Sequence, residues 1–190
     1  RGVLGKEQWM EARFLDEPFS VGLKWTRNIP IGEAVLYVEG KYDNHMLVKP
    51  KGMLAKIIGT AKRKPDSPDV MQNTLRPVSE FGFEKATENL LSVYELARQR
   101  GESKESFGGY AEVAGRKALV LVRYLPQKDE YPAYKTATFI DTELLLPLCI
   151  EGYDEQGQLE CRYLYKDLEL NVGLTEADFL PDVYGMKAPD

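Results

Sequence analysis

The chain has 190 residues, of which 43% are hydrophobic and 29% charged, a composition typical of a folded domain and not of a disordered segment. Acidic residues outnumber basic ones by 30 to 25, and the net charge of −5 argues against nucleic-acid binding and against electrostatic docking on anionic lipid. The longest apolar run, residues 144–150, contains Pro147 and is far shorter than the roughly 20 residues of a membrane-spanning helix.

The first part of the chain is predicted to form an antiparallel meander. Four strands separated by turns are predicted at residues 8–15, 19–25, 33–39 and 45–48. Every second residue of the second strand is apolar, which places these side chains on one face of the sheet. They are Phe19, Val21, Leu23 and Trp25. Leu36 and Val38 are expected to extend this face on the next strand.

The middle of the chain changes character. Residues 53–58 (MLAKII) form a short apolar segment that contains Met53 and Ile57, and residues 61–69 are predicted to be a loop. From residue 83 to residue 100 apolar residues recur at spacings of three and four, which predicts an amphipathic helix whose apolar side includes Leu90 and Tyr94.

Strands resume after this helix and alternate with short turns. They are predicted at residues 110–113, 116–125, 134–140, 144–153 and 158–171, followed by one helical turn that Thr175 and Asp178 open as a capping box. We find neither repeat nor linker, so the sequence predicts a single domain over residues 1–190. The fold class is α+β, with at least seven antiparallel strands and the long helix across one face.

The two cysteines flank the last predicted hairpin turn. Cys149 and Cys161 are equally distant from a centre near Glu155, so they are expected to be cross-strand neighbours with Cα atoms within about 7 Å. That placement fits a disulfide in an oxidising compartment, and it equally fits two buried free thiols.

Catalytic motifs are missing from the sequence. His45 is the only histidine, which rules out a two-histidine metal site, and there is no G-x-S-x-G elbow or phosphate-binding glycine loop. Carboxylates such as Glu39 and Glu151 are plentiful, but they fit the solvated face of an antiparallel sheet better than an acid–base pair. We therefore expect no metal site, no cofactor and no enzymatic activity.

Several local strings occur in the order seen in one known family. They are EPFSV with KW (residues 17–25), VLYVEG (35–40), LV with Gly52, PDSP (65–68) and NVGLTEADF (171–179). Over roughly residues 7–182 the chain resembles the bacterial envelope family known as domain-of-unknown-function family 1571. Lys64 departs from its pattern, where an acidic residue is expected.

The resemblance implies a fold like that of the lipoprotein carriers LolA and LolB, a strongly curved antiparallel sheet forming an incomplete barrel whose concave side is covered by helices. It also implies export to the periplasm, usually behind a signal sequence, and a helix and strand ahead of the segment that starts at Arg1. It carries over no catalytic residue.

These observations lead to a functional hypothesis and one rival. The hypothesis is a non-catalytic envelope protein that holds a lipid, an acyl chain or a lipoprotein in an apolar half-barrel cavity. The lining is expected to comprise Phe19, Val21, Leu23, Trp25, Leu36, Val38, Met53, Ile57, Leu90 and Tyr94. The rival is a protein-interaction or envelope-sensor domain with a filled core and a protein partner. An enzyme that uses unpaired carboxylates ranks third.

Overall fold

Ten antiparallel strands and three α-helices make up most of the computed structural model, which describes residues 4–29, 32–72, 74 and 76–188, except for the side chains of residues 54–56. They divide into two compact units. The first unit comprises Lys6–Gly82 and Asn171–Asp190, and the second comprises Arg1–Gly5 and Phe83–Leu170. That the chain behaves as one domain stays a prediction.

The first unit contains a five-stranded sheet in the order β1-β2-β3-β4-β5, with every neighbouring pair antiparallel. The strands are β1 (Trp9–Leu15), β2 (Ser20–Arg27), β3 (Gly32–Val38), β4 (Met46–Pro50) and β5 (Ala61–Arg63). Helices α1 (Met53–Ile58) and α2 (Pro68–Met71) lie in the stretch after β4. The loop predicted at residues 61–69 is therefore wrong in part, since it holds β5 and the start of α2.

One face of the first sheet carries the apolar residues that alternate along β2. Val21 and Leu23 are buried there with Val35 and Tyr37 of β3, and Phe19 and Trp25 pack against the same cluster. Val70 of α2 is buried in the cluster too, and Phe81 packs against it from the segment that precedes the long helix. The alternation in β2 thus predicts its inward face correctly.

The expected extension of this face through Leu36 and Val38 is wrong. Leu36 pairs with Gly22 and Val38 with Ser20, so both side chains emerge on the opposite side of the sheet. There they pack with Phe179 and Tyr184 from the C-terminal segment. The physical reason is that opposed residues share a face, so a shift of one residue in register exchanges the two faces of β3.

The C-terminal segment covers this second face with two 3₁₀ turns, Glu176–Phe179 and Pro181–Tyr184. The predicted capping box is confirmed, because the side chain of Asp178 accepts a hydrogen bond from the backbone N–H of Thr175 at 2.9 Å. Lys41 and Glu176 form an ion pair at 3.0 Å that ties the same segment to the sheet. Both faces of the first sheet are thus covered by segments of its own unit.

The second unit contains another five-stranded antiparallel sheet, in the order β10-β9-β8-β7-β6. Its strands are β6 (Lys104–Val113), β7 (Arg116–Tyr124), β8 (Lys135–Asp141), β9 (Pro147–Tyr153) and β10 (Leu159–Leu164). The long helix predicted at residues 83–100 is confirmed as α3 (Phe83–Gln99). The predicted strand at residues 158–171 ends earlier than expected, at Leu164. The α+β class and the antiparallel pairing are confirmed.

The cysteines are not cross-strand neighbours, which corrects the sequence prediction. Cys149 pairs with Leu164 and Cys161 pairs with Gly152, three residues from Cys149, so the two side chains point to opposite faces. The hairpin turn pairs Tyr153 with Leu159, so its centre lies one residue later than expected. An irregularity between Leu159 and Cys161 then shifts the pairing by a further residue. Both cysteines are free thiols.

Native thiol reactivity follows from this placement. Burial raises the pKa of the Cys149 thiol to about 11, and burial also raises the pKa of Cys161. Both thiols therefore stay protonated at pH 8. Because the thiolate is the reactive form, we expect slow alkylation by iodoacetamide in the native protein and fast alkylation in denaturant. Mass spectrometry of Cys149→Ser and Cys161→Ser assigns each site. A native mass lower by two hydrogens after mild oxidation would contradict the pairing described here.

Candidate functional site

Helix α3 lies against one face of the second sheet through three contacts along its length. Near its start the ring of Phe83 packs edge-to-face on Tyr165, with centroids 5.1 Å apart. In its second half the ring of Tyr94 lies 4.3 Å from the guanidinium carbon of Arg123 on β7. At its end Ala97 is buried with Leu125 and Tyr131. The helix therefore crosses the sheet from the end of β10 to the end of β7.

The apolar side of α3 is only half covered by the sheet. Ala97 is the one residue of the helix that is buried, while Leu90, Val93 and Tyr94 on the same side are partly exposed. A helix packed into a core normally buries its whole apolar stripe. Acidic Glu84 in the first turn and basic Arg98 in the last turn favour the helix independently of the sheet. The contact between α3 and the sheet is thus shallow.

The sheet surface beside α3 carries exposed aromatic and aliphatic side chains. Leu121 pairs with Phe107 across β6 and β7, and it lies on the same face as Arg123, two residues further along β7. Phe107 is 60% exposed and Tyr110 is 64% exposed, with their ring centroids 5.4 Å apart. The ammonium group of Lys117 lies 4.7 Å from the centroid of the Tyr110 ring, so a positive charge borders the exposed aromatic surface.

An open depression of about 380 Å³ lies at the same place. It is lined by Tyr110, Ala111, Glu112 and Lys117.

A buried arginine, Arg123, lies on the same face of the sheet. Its side chain is 1% exposed, and its Nη2 donates a long hydrogen bond of 3.3 Å to the hydroxyl of Thr136, which is itself buried. Burial lowers the pKa of Arg123, partly offset by Tyr94 and by Glu105. Sequence reasoning missed this residue, although a charged residue directly after the apolar run of residues 118–122 in β7 was a usable signal.

The other face of the second sheet holds carboxylates that are already engaged. Glu151 accepts hydrogen bonds from Arg162 at 2.8 Å and from the hydroxyl of Tyr153, and this contact raises the pKa of Tyr153 to about 12. Asp141 is held by Arg116 and by two backbone N–H groups, which keep the pKa of its carboxyl well below the usual range. Among the described residues, no group of three or more metal-ligating side chains is close enough to hold an ion.

The sequence-predicted lining residues fall into distinct places. Val21 and Leu23 belong to the packed cluster of the first unit, with Phe19 and Trp25 at its margin. Met53 and Ile57 on α1 are 78% and 76% exposed. Leu90 and Tyr94 lie on the apolar side of α3, in the second unit. Their role in ligand binding stays a prediction. None of the helices in the described part of the chain combines the length and apolar character needed to cross a bilayer.

Taken together, these features define an α+β protein built on open antiparallel sheets. The chain matches the family described as "Protein of unknown function (DUF1571)" over residues 1–185, and it belongs to that family. The resemblance noted in the sequence is thereby confirmed. Among curated protein sequences, none matches this chain.

One solved structure shares the fold at low sequence identity, and two further ones are similar at lower TM-scores. A crystal structure of MucB is similar over 90% of this chain and 50% of MucB, with a TM-score of 0.51 and 19% identity, so the chain spans about half the length of MucB. The Pseudomonas aeruginosa MucA/MucB complex matches with a TM-score of 0.41 and 17% identity, over 79% of this chain and 41% of that one. A DUF1329 family protein from Desulfovibrio piger matches with a TM-score of 0.36 and 16% identity, over 93% of this chain and 81% of that protein.

Proposed function

We propose that this chain is a non-catalytic protein of the bacterial envelope that binds an amphiphile between α3 and the second sheet. The observation that carries the proposal is the half-covered apolar side of α3, of which Ala97 alone is buried. Leu90 and Tyr94, both expected from the sequence to line a cavity, lie on that side. The envelope location is carried over from the resemblance noted in the sequence, and export is part of the proposal.

The dimensions of the site suit an acyl chain. A helix of 17 residues is about 25 Å long at about 1.5 Å per residue. One acyl chain spans half of the hydrocarbon core of a bilayer, or about 15 Å. The apolar side of α3 is therefore long enough to cover a whole acyl chain. Exposed Phe107 and Leu121 continue the apolar surface on the sheet.

The helix itself is the element that we propose moves. Its contacts are few: Phe83 on Tyr165, Tyr94 on Arg123, and the cluster around Ala97. Segments with little buried apolar area open at low free-energy cost. Gly82 and Gly101, which flank the helix, have positive φ angles of 109° and 66°, a backbone conformation that glycine adopts without strain.

Two adjacent leucines on α3 provide a matched test. Leu90 is on the apolar side, whereas Leu91 is 54% exposed, and glutamate has a helix propensity close to that of leucine in either position. We expect Leu90→Glu to weaken binding of a fluorescent fatty acid at least about tenfold, equivalent to about 1.4 kcal/mol, because it places a charge against the acyl chain. Leu91→Glu is expected to bind like the wild type.

Titration of both variants with cis-parinaric acid measures the effect, and a native mass spectrum of protein purified without detergent shows whether acyl chains co-purify. Circular dichroism confirms that α3 persists in each variant. Equal losses in Leu90→Glu and Leu91→Glu would contradict a site beneath α3. A wild-type protein with no affinity for the probe would defeat the proposal.

A second candidate function is a protein-interaction or sensor domain with a filled core. It is favoured by the first unit, where Val21 is 0% exposed and packs with Leu23 and Val70, so this face of the sheet is occupied by the unit's own side chains. This candidate predicts that the wild type binds no amphiphile at all. The titration described above therefore separates the two functions.

A further inference from the structure

Arg123 is a buried cation with one hydrogen-bond acceptor, the hydroxyl of Thr136, and one ring contact, to Tyr94. Its Nε and Nη1 atoms are buried and have no hydrogen-bond partner among the residues that the structure describes. Only Nη2 is engaged, by the hydroxyl of Thr136 at 3.3 Å, close to the limit for a hydrogen bond. Arginine is almost never fully buried in proteins unless it is paired, because removing the charge from water is costly.

The carboxylate on the residue opposite Arg123 forms no ion pair with it. Glu105 lies opposite Arg123 on β6, but its side chain is exposed and accepts a hydrogen bond from the hydroxyl of Ser103 at 2.7 Å. None of the ion pairs formed within the described ranges includes Arg123. The fold therefore holds a positive charge in place and leaves its anion to come from elsewhere.

The position of Arg123 points to what that anion belongs to. Tyr94 of α3 lies over the guanidinium, so displacement of the helix uncovers the charge. On the same face of β7, Leu121 is 39% exposed and begins an apolar path toward Phe107 on the neighbouring strand. A ligand lying on this path thus has an apolar body against the sheet and a negative end at Arg123.

We propose that Arg123 binds the carboxylate head of a single-chain anionic amphiphile whose acyl chain lies between α3 and the second sheet. The inference rests on the proposed function and specifies its ligand class. One guanidinium next to one neutral hydroxyl, that of Thr136, matches a singly charged carboxylate. A phosphate monoester carries up to two negative charges and three acceptor oxygens, more than this pair of groups satisfies.

Head-group selectivity provides the test. We expect the wild-type chain to bind decanoate about 10- to 100-fold more tightly than decanol, the range for a hydrogen bond to a charged group. Arg123→Met keeps an unbranched, apolar stem and removes the charge, so it is expected to bind decanoate no more tightly than decanol. Isothermal titration calorimetry at pH 8 measures all four affinities.

Stability controls accompany the titrations. Thermal unfolding of Arg123→Met without ligand is expected to match or exceed that of the wild type, because the variant removes an unpaired buried charge. Arg123→Lys retains the charge and is expected to retain the preference for decanoate in part. If Arg123→Met does not fold, the comparison of decanoate with decanol on the wild type and on Arg123→Lys decides the matter.

The outcomes separate this inference from the function beneath it. Equal wild-type affinity for decanoate and decanol would overturn the role of Arg123 and leave amphiphile binding intact. Tighter binding of decyl phosphate than of decanoate would overturn the carboxylate assignment. Absence of binding by every probe would overturn the proposed function together with the inference.

Discussion

Replacing Leu36 with alanine is expected to lower the free energy of unfolding by about 2–5 kcal/mol, the range for removing a buried leucine side chain. Leu36 is 0% exposed and packs with Phe179 and Tyr184 of the C-terminal segment. The loss combines the transfer of the side chain to water with the cavity left between the sheet and that segment. The effect is large because both surfaces of the cavity are held by neighbouring contacts.

Chemical denaturation followed by circular dichroism measures this change. Leu145→Ala is the matched control, because Leu145 is 72% exposed and its truncation is expected to stay within about 0.5 kcal/mol of the wild type. A loss below about 1 kcal/mol in Leu36→Ala would mean that the C-terminal segment does not cover this face of the sheet.

Gly22→Ala is expected to destabilise the chain by about 3 kcal/mol, at the upper end of the range for overpacking. A Cβ atom on Gly22 would lie 1.8 Å from the hydroxyl oxygen of Tyr184 and 2.1 Å from its Cζ atom. Tyr184 is 3% exposed, and its hydroxyl donates a hydrogen bond of 3.1 Å to the backbone carbonyl of Asp178. The ring therefore has no adjacent space into which it can move without losing that contact.

A double-mutant cycle isolates the clash. In a Tyr184→Ala background the added methyl group of Gly22→Ala meets no ring, so its cost should fall by at least about 1 kcal/mol, as coupled neighbours show. Gly5→Ala serves as the control, since no atom lies within 4 Å of its added Cβ, and it should be close to neutral. Strictly additive losses for Gly22→Ala and Tyr184→Ala would refute the contact.

Periodicity predicted the elements of this fold better than it predicted their faces. In β2 the apolar residues alternate with Ser20, Gly22 and Lys24, so the sequence alone predicts which side chains point inward. Positions 34 to 38 of β3 are all apolar, because both faces of this strand are covered. Alternation then carries no information, and pairing with β2 decides which side Leu36 occupies.

The cysteine prediction failed for a related reason. The spacing of Cys149 and Cys161 assumed a regular hairpin, whereas the observed ladder changes register just before Cys161. An irregularity of one residue reverses the direction of every side chain beyond it, and its position is not encoded in the spacing of the cysteines.

The candidate site was predicted only in part. Leu90 and Tyr94 follow from the helical period, which places them on the apolar side of α3. The incomplete burial of that side depends on how closely the helix approaches the sheet, and the period alone says nothing about this distance. Arg123 escaped notice because its significance depends on the acceptors around it, which only the tertiary structure reveals.

The ion pair between Lys41 and Glu176 joins residues 135 positions apart, and Leu36 packs against the same late segment. Residues Phe83–Leu170 of the second unit therefore lie between the two chain segments of the first. During synthesis on the ribosome the second unit is complete before the residues that cover Leu36 have been made. Because contacts between residues far apart in the sequence form slowly, we expect the contacts of Leu36 with the C-terminal segment to form late in folding. Until they form, the face of the first sheet that carries Leu36 lacks its cover.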